Sequence, residues 1–450
     1  MAPFSFYMTI LSFLLTMLLI FIRPKGINEA NASVIGAMLV LFSGTVTLQN
    51  IADITSKVSG ASITIITTII MANVLESFGF FQWTAHKLIT ISKNSGYRLF
   101  VLTNLLCFLM TMLFNNDGSI LITTPILILV LRKLHIKNHQ MLPYLISGAL
   151  MATAASVPIG VSNIVNLISL KIIGIDLYMY TVMMFVPGML GLLTLFLLCL
   201  IVFHRQIPAH INYEERRGIK KPHHKRKQHP HRSTGMSKHP VSKFLIYIIL
   251  FIIAIRAGLF IASFFGIPIE FVTLFGSIVL LIIRWKLLNI SPMDMLTKTP
   301  WHIFIFAFCM YIIIYGLTSI GLADYLINLL EPLVQRDLFH AAFVMGGVLT
   351  LLSNVFNNHP ALMIGTISLT GMELDPLYMQ LAYLATIIGS DIGALLLPTG
   401  TLATLIWMHI LKQERVKIKW KEYIKISFLI IPPVVILTIF YLYGWILLVL

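Results

Sequence analysis

Ten stretches of this chain are apolar for about the 20 residues that a helix needs to cross a bilayer. They are 4–22, 31–50, 59–80, 141–175, 178–203, 244–265, 268–284, 301–318, 376–411 and 424–447. Backbone groups in hydrocarbon find no water, so each run must satisfy its own hydrogen bonds as a helix. The pattern predicts an all-α polytopic protein, multi-pass in the cell membrane, with ten transmembrane helices. Composition agrees, since 58% of the 450 residues are apolar and only 11% are charged. A soluble domain carries roughly a quarter charged residues, so most of this surface must face lipid, and soluble enzyme classes are excluded. No nucleophile–base pair, metal-ligand spacing or P-loop stands out, so neither a membrane enzyme nor a cofactor is expected. The formal charge of +15 does not indicate nucleic acid, because segment 204–243 alone holds eleven Lys/Arg against two Glu. The other positive residues sit mainly at the ends of apolar runs, the habit of cytoplasmic loops. Cys107, Cys199 and Cys309 are far apart within apolar runs and give no disulfide or zinc pattern. The first run, Phe4–Ile22, has no preceding basic residue and no cleavage pattern after it, and is expected to be a retained helix.

Two of the runs, 141–175 and 376–411, are too long for one straight crossing, and each is interrupted by Pro-x-Gly: Pro158-Ile159-Gly160 and Pro398-Thr399-Gly400. Two further stretches, 97–133 and 338–371, are broken at their centres by Asn115-Asn116-Asp117-Gly118 and Asn357-Asn358-His359-Pro360. Basic residues orient them. Arg23 and Lys25 place the end of the first helix inside, as His86, Lys87, Lys93 and Arg98 do for the third. Arg132, Lys133 and Lys137 return stretch 97–133 to the same side, so it reads as a re-entrant hairpin from the cytoplasm. Asp337, Glu373 and Asp375 flank 338–371, which reads as a second hairpin from outside. Lys286 and Lys412 fall inside, and both termini outside.

The halves then align. The tips Asn116 and Asn358 are 242 residues apart (358 − 116), and the breaks Pro158 and Pro398 are 240 apart (398 − 158). Residues 1–203 form a first repeat, with hairpin 97–133 and broken helix 141–175. Residues 244–450 form a second, with hairpin 338–371 and broken helix 376–411. An odd number of crossings in each half makes them inverted-topology repeats, joined by the basic, His-rich cytoplasmic linker 204–243, whose composition predicts no fixed fold and contact with anionic lipid. Broken helices at matching places of inverted repeats point to a transport site near the midplane.

The polar residues at these places are the site candidates. For substrate they are Asn115, Asn116, Ser156, Asn163, Asn166, Asn357, Asn358, Thr399 and Thr401. Asp117 and Asp391 are acids at symmetric elements, costly in a membrane and functional by default, and are the candidates for the coupling ion. Glu76 and Arg256 also lie in apolar helices and read as a structural ion pair or as groups reaching for the interface.

At these motifs the chain resembles the arsenite efflux permeases of the ion-transporter superfamily. The resemblance lies in Asn116-Asp117-Gly118 with Thr124-Pro125-Ile126, in Ser162-Asn163-Ile164-Val165-Asn166, in Asn357-Asn358-His359-Pro360, and in Gly389-Ser390-Asp391-Ile392-Gly393 through Pro398 to Trp407. It covers essentially the whole chain. Many such permeases carry an acid shortly before the first break, where this chain has Thr153. The resemblance implies efflux of arsenite, with antimonite, in exchange for protons. It also implies hairpins and broken helices that slide against a scaffold, a homodimer, and a soluble ATPase as a candidate partner. A sodium/proton antiporter or a sodium-coupled organic-anion carrier on the same fold is the alternative. Arsenite near neutral pH is an uncharged trihydroxide, which suits hydroxyl and amide partners, and no Arg or Lys lies within either tip or break.

Overall fold

The computed structural model describes residues 3–22, 27–211, 241–299 and 301–449. Arg23 and Lys25, and positions 212–240 of the linker, lie outside the described residues. The first half runs α1 (Pro3–Ile22), α2 (Glu29–Phe42), α3 (Leu48–Ser77), α4 (Phe80–Ser92), α5 (Gly96–Leu113), α6 (Asn116–Lys133), α7 (Asn138–Ala154), α8 (Ile164–Ile173) and α9 (Leu177–Phe203). The second runs α10 (Val241–Phe264), α11 (Ile269–Leu288), α12 (Met293–Lys298), α13 (Trp301–Ser319), α14 (Leu322–Val334), α15 (Leu338–Phe356), α16 (Asn358–Gly371), α17 (Pro376–Asp391), α18 (Leu402–Gln413) and α19 (Trp420–Val449). Among the described residues there is no strand, only an isolated bridge between Ser95 and His210.

With α12 set aside, the two halves have the same order of elements, and the residues that start the helices keep step. Gly79 and Gly321 precede α4 and α14 with left-handed φ of 84° and 95°, a conformation that glycine adopts freely. Ser95 and Asp337 cap α5 and α15, and Asn115 and Asn357 cap α6 and α16. Each side-chain oxygen accepts an otherwise orphaned N–H of the first turn. All three pairs are 242 residues apart (321 − 79, 337 − 95, 357 − 115). The 13-residue helices α4 and α14 were not anticipated from hydropathy; each packs against both arms of the hairpin that follows it.

Among the described residues ten helices are long and apolar enough to cross a membrane, the number expected, although the set differs. The first arms of the two polar-tipped stretches, Gly96–Leu113 and Leu338–Phe356, qualify, whereas α2 has only 14 residues and α8 only 10. The run read as 31–50 ends as helix at Phe42. Gly44 turns the chain at φ 73°, and a capping box between Thr47 and Asn50 starts α3, which continues for 30 residues. Helices α3 and α17 form the enclosed centre, with 78% and 83% of their apolar windows buried, against 28% for α11. Helix α11 instead turns Phe271 and Phe275 outward, as a lipid-facing helix does. Helix α17 crosses α15 closely, since a Cβ on Gly389 would lie 2.4 Å from the Gly346 carbonyl oxygen.

Contacts between helix ends join residues that the charge rule assigns to one side. Arg132 bonds the Glu414 carboxylate at 2.6 Å, Arg284 donates to Ser77 at 3.1 Å, and Tyr97 donates to the His204 carbonyl at 2.8 Å, all at ends read as cytoplasmic. Lys171 donates to the Ser56 carbonyl at 2.6 Å, Ser263 accepts from the Tyr178 N–H at 3.2 Å, and Trp445 donates to the Val182 carbonyl at 3.1 Å, all at ends read as external.

Candidate functional site

Two helix breaks and two helix starts meet inside the molecule. The first break, residues 155–163, leaves α-helix after Ala154, passes a 3₁₀ turn at Gly160–Ser162, and re-enters at α8 with Asn163 as its cap. The second leaves after Asp391, passes a 3₁₀ turn at Gly393–Leu396, and re-enters at α18 under a Thr401 cap. A tyrosine from the following helix holds a freed carbonyl in each: Tyr180 donates to Val157 at 2.6 Å and Tyr423 to Leu395 at 3.1 Å. Both phenols are fully buried, where an unpaired carbonyl has no water to turn to.

Asp391 is the centre of the arrangement. Its Oδ1 accepts from Asn163 Nδ2 at 3.0 Å and Ser390 Oγ at 3.2 Å, and its Oδ2 from Ser156 Oγ at 2.6 Å and Asn166 Nδ2 at 2.7 Å. All five residues are fully buried. Two of the four donors, Ser156 and Asn163, come from the first break and a third, Asn166, from the first turn of α8 after it, so an acid of one half is solvated by the polar residues of the other. Four donors on one carboxylate are the arrangement that lets a charge exist in a dry interior, because charge-assisted hydrogen bonds replace its water. Thr153, where many resembling permeases carry an acid, bonds back to the Ala149 carbonyl at 3.1 Å, and its own carbonyl accepts from Ser156 at 2.8 Å.

The two tips differ in how much of their polarity is spent. Asn115 caps α6 through the Gly118 N–H at 3.2 Å, and Asn116 Oδ1 accepts the Asp117 N–H at 2.8 Å. Asn357 has φ 72°; it caps α16 through the His359 N–H and donates to the Thr399 carbonyl at 3.1 Å. The Asn358 N–H reaches the Gly400 carbonyl at 2.8 Å. Gly400 is required there, since a Cβ would fall 1.9 Å from the Ala394 carbonyl oxygen. Thr401 is occupied by its cap on Thr404, at 3.0 Å. Left buried without a protein partner are Asp117 Oδ1, Asn166 Oδ1, Ser162 Oγ and both amide atoms of Asn358. Buried polar atoms are nearly always satisfied, so these orphans at two tips and a break are candidates to meet a ligand or water, although others occur away from them, as at Ser62 and Ser427. Among the described residues no group of three or more His, Cys, Asp or Glu could hold a metal ion.

The structure also brings in residues that the sequence reading did not place here. Arg256 of α10 donates from Nε to the Leu113 carbonyl at 2.6 Å and from Nη2 to the Phe114 carbonyl, so a basic residue does reach the first tip. Neither Arg256 nor Glu76 has an ion-pair partner among the described residues, which corrects the expectation of a structural pair. Arg256 instead meets the C-terminus of α5 through Nε and Nη2, while its Nη1 is buried without a partner. Asn354, one turn before the second tip, donates to the Gly393 carbonyl and accepts the Leu397 N–H, both at 2.8 Å. Only its position three residues before Asn357 could have drawn attention to it.

Ten apolar helices around a buried polar site made from interrupted helices define a multi-pass membrane transport protein. The sequence pattern of the arsenical pump membrane protein family matches residues 8–446, and the chain belongs to that family. A Bacillus subtilis (strain 168) protein, provisionally described as an arsenical pump membrane protein, is 53% identical over 97% of this chain and 99% of its own length. Arsenical pump membrane proteins of Escherichia coli and Yersinia enterocolitica are 31% and 30% identical, each over 95% of this chain and 96% of their own.

Proposed function

We propose that this chain exports arsenite, and with it antimonite, across the cell membrane in exchange for protons. The observation that carries the reading is the buried Asp391 with its four donors, three of them from the opposite half. A carboxylate whose solvation depends on how two breaks fit together has a charge state tied to conformation. Coupling needs that link, because a gradient drives net movement only through a difference in affinity between states. Asp117 of the first tip is the second coupling candidate, and it lies within electrostatic range of Asp391. The substrate reading rests on the unspent amide and hydroxyl atoms of Asn358, Asn166 and Ser162, which suit an uncharged trihydroxide, with Asn116 of the first tip as a further candidate. In this account Ser156 and Asn163 serve the carboxylate, and Asn115, Asn357 and Thr401 hold the caps. Thr399 supplies a backbone acceptor.

The same account treats the halves as inverted repeats with re-entrant hairpins; the common 242-residue step and the side-consistent contacts support it. A homodimer and a docked soluble ATPase are compatible partners. The substrate test compares cells with and without the protein. Expression is expected to raise arsenite tolerance and lower arsenite accumulation. A gain in sodium tolerance or citrate uptake, with arsenite unchanged, would instead favour a sodium-coupled carrier, for which Asn166 Oδ1 and Ser162 Oγ would be natural oxygen ligands.

A further inference from the structure

We infer that Arg256 is the positioning residue of the first hairpin tip, a role that rests on that tip's belonging to the transport site. Arg256 sits within α10, the first helix of the second half, and is 6% exposed. Its two bonds go to the carbonyls of Leu113 and Phe114, the last residue of α5 and the one after it. A helix leaves its final carbonyls without partners, and they carry the negative end of its dipole. At membrane depth no water takes their place. A guanidinium answers both needs, with a fixed fork of donors and a permanent charge.

The consequence is local and directional. The Leu113 and Phe114 carbonyls belong to the two peptide planes on either side of the Phe114 α-carbon. Holding both fixes the torsions of Phe114, which turns the chain at φ −125° and ψ −101°. The next residue is Asn115, whose side chain starts α6, followed by Asn116 and Asp117. Arg256 therefore sets the direction in which the first tip presents its amide and its acid, without being among them.

The second tip shows what the first one lacks. It is tied to the second break of its own half by Asn354, Asn357 and the Asn358 N–H. The residue 242 positions before Asn354 is Met112, which can make no such bond. On the other side, Phe356 of the second tip meets Phe13 of α1, ring centroids 5.2 Å apart, where Phe114 of the first meets Arg256. The first tip is thus fastened from the opposite half by a cation.

The test uses the full-length protein carrying Arg256→Leu, Arg256→Gln or Arg256→Lys. In proteoliposomes Arg256→Leu is expected to raise the KM for arsenite by about tenfold or more while the maximal rate per folded molecule falls by less than about threefold. Arg256→Lys, which keeps the charge and can reach one carbonyl, should recover part of the loss, and Arg256→Gln less. A second readout is independent of substrate. With Asn116→Cys as a reporter in detergent, each truncation should speed thiol labelling at the first tip and leave labelling of Asn358→Cys at the second tip unchanged. Equal acceleration at both tips, or none at the first, would overturn the role, as would an unchanged KM in all three variants. Should the unsubstituted protein move no arsenite, the proposed substrate fails, and the labelling contrast still decides the role of Arg256.

Discussion

The first and second tips carry matching caps yet are held in place by different means. Both start their second arm with an asparagine cap, 242 residues apart, and both carry a second asparagine directly after it. At the second tip, side chains and backbone of residues 354–358 are bonded to the break at 393–400, so tip and break form one unit. The first tip rests on α7 through Thr111, which donates to the Ala152 carbonyl at 2.7 Å, and on Arg256 from the other half. The two tips share their caps, which answer a need of the local backbone. They do not share the fastening, which depends on the neighbours that supply donors. The second tip is accordingly expected to be the stiffer of the two, since more of its bonds run to one neighbouring segment.

Several substitutions sharpen or break this contrast. The largest effect is expected from Asn354→Leu, which leaves the Gly393 carbonyl and the Leu397 N–H unpaired in the interior and should cost roughly 2–4 kcal/mol. Met112→Ala at the matching place of the first tip should cost about 1 kcal/mol or less, because Met112 is only half-buried. Thermal unfolding in detergent compares the two, and equal losses would mean that the tips are fastened alike. Phe13→Leu removes the ring pair with Phe356 while keeping most of the buried volume and should cost about 1–2 kcal/mol, with no change in the KM for arsenite. A change in KM as large as that of Arg256→Leu would make the two contacts functionally equivalent. Smaller still is the contrast between the caps that open the hairpins. Asp337 caps α15, and its carboxyl is held below the usual carboxylate range, chiefly by the His340 N–H. A depressed folded value means that this cap is at full strength above the ordinary carboxylate pKa and weakens as pH falls through the folded one. Ser95, the matching cap on α5, does not titrate. Hydrogen exchange in the first turn of α15, corrected for intrinsic rate, should therefore rise in acid while that of α5 stays level.

Much of this was legible in the sequence, for definite reasons. Asn115–Asp117 and Asn357–His359 interrupt apolar runs, and polarity at that depth has few explanations. The Pro-x-Gly interruptions at 158–160 and 398–400 fall within the two breaks, which begin after Ala154 and Asp391, because proline and glycine act on the backbone directly. Helices α4 and α14 escaped notice because the left-handed Gly79 and Gly321 that start them look, in a hydropathy trace, like the frayed end of the preceding run. The same blur merged the turn at Ser43–Thr45 with the helix before it. Partners across the chain were out of reach altogether. Nothing in the pattern around Arg256 announces Leu113, 143 residues away, and nothing near Asp391 announces Ser156.

Orientation can be read with a cysteine placed near Arg132 and another near Glu373. A membrane-impermeant thiol reagent should reach the first only from the cytoplasm and the second only from outside. Labelling of both from one side would remove the inverted arrangement.

The proposed coupling requires Asp391 and Asp117 to titrate inside a site shared by the two halves. The direct measurement is arsenite flux in proteoliposomes with and without an imposed pH gradient, for the unsubstituted protein, Asp117→Asn, Asp391→Asn and the double variant. Asparagine keeps the shape and some of the hydrogen bonds that Ser156, Asn163 and Asn166 make with Asp391, and abolishes titration. Each single variant should fold and retain some downhill exchange, and should lose uphill, gradient-driven accumulation by about a hundredfold. Full gradient-driven accumulation in both single variants and in the double would contradict the account and move the coupling to Glu76 or His359.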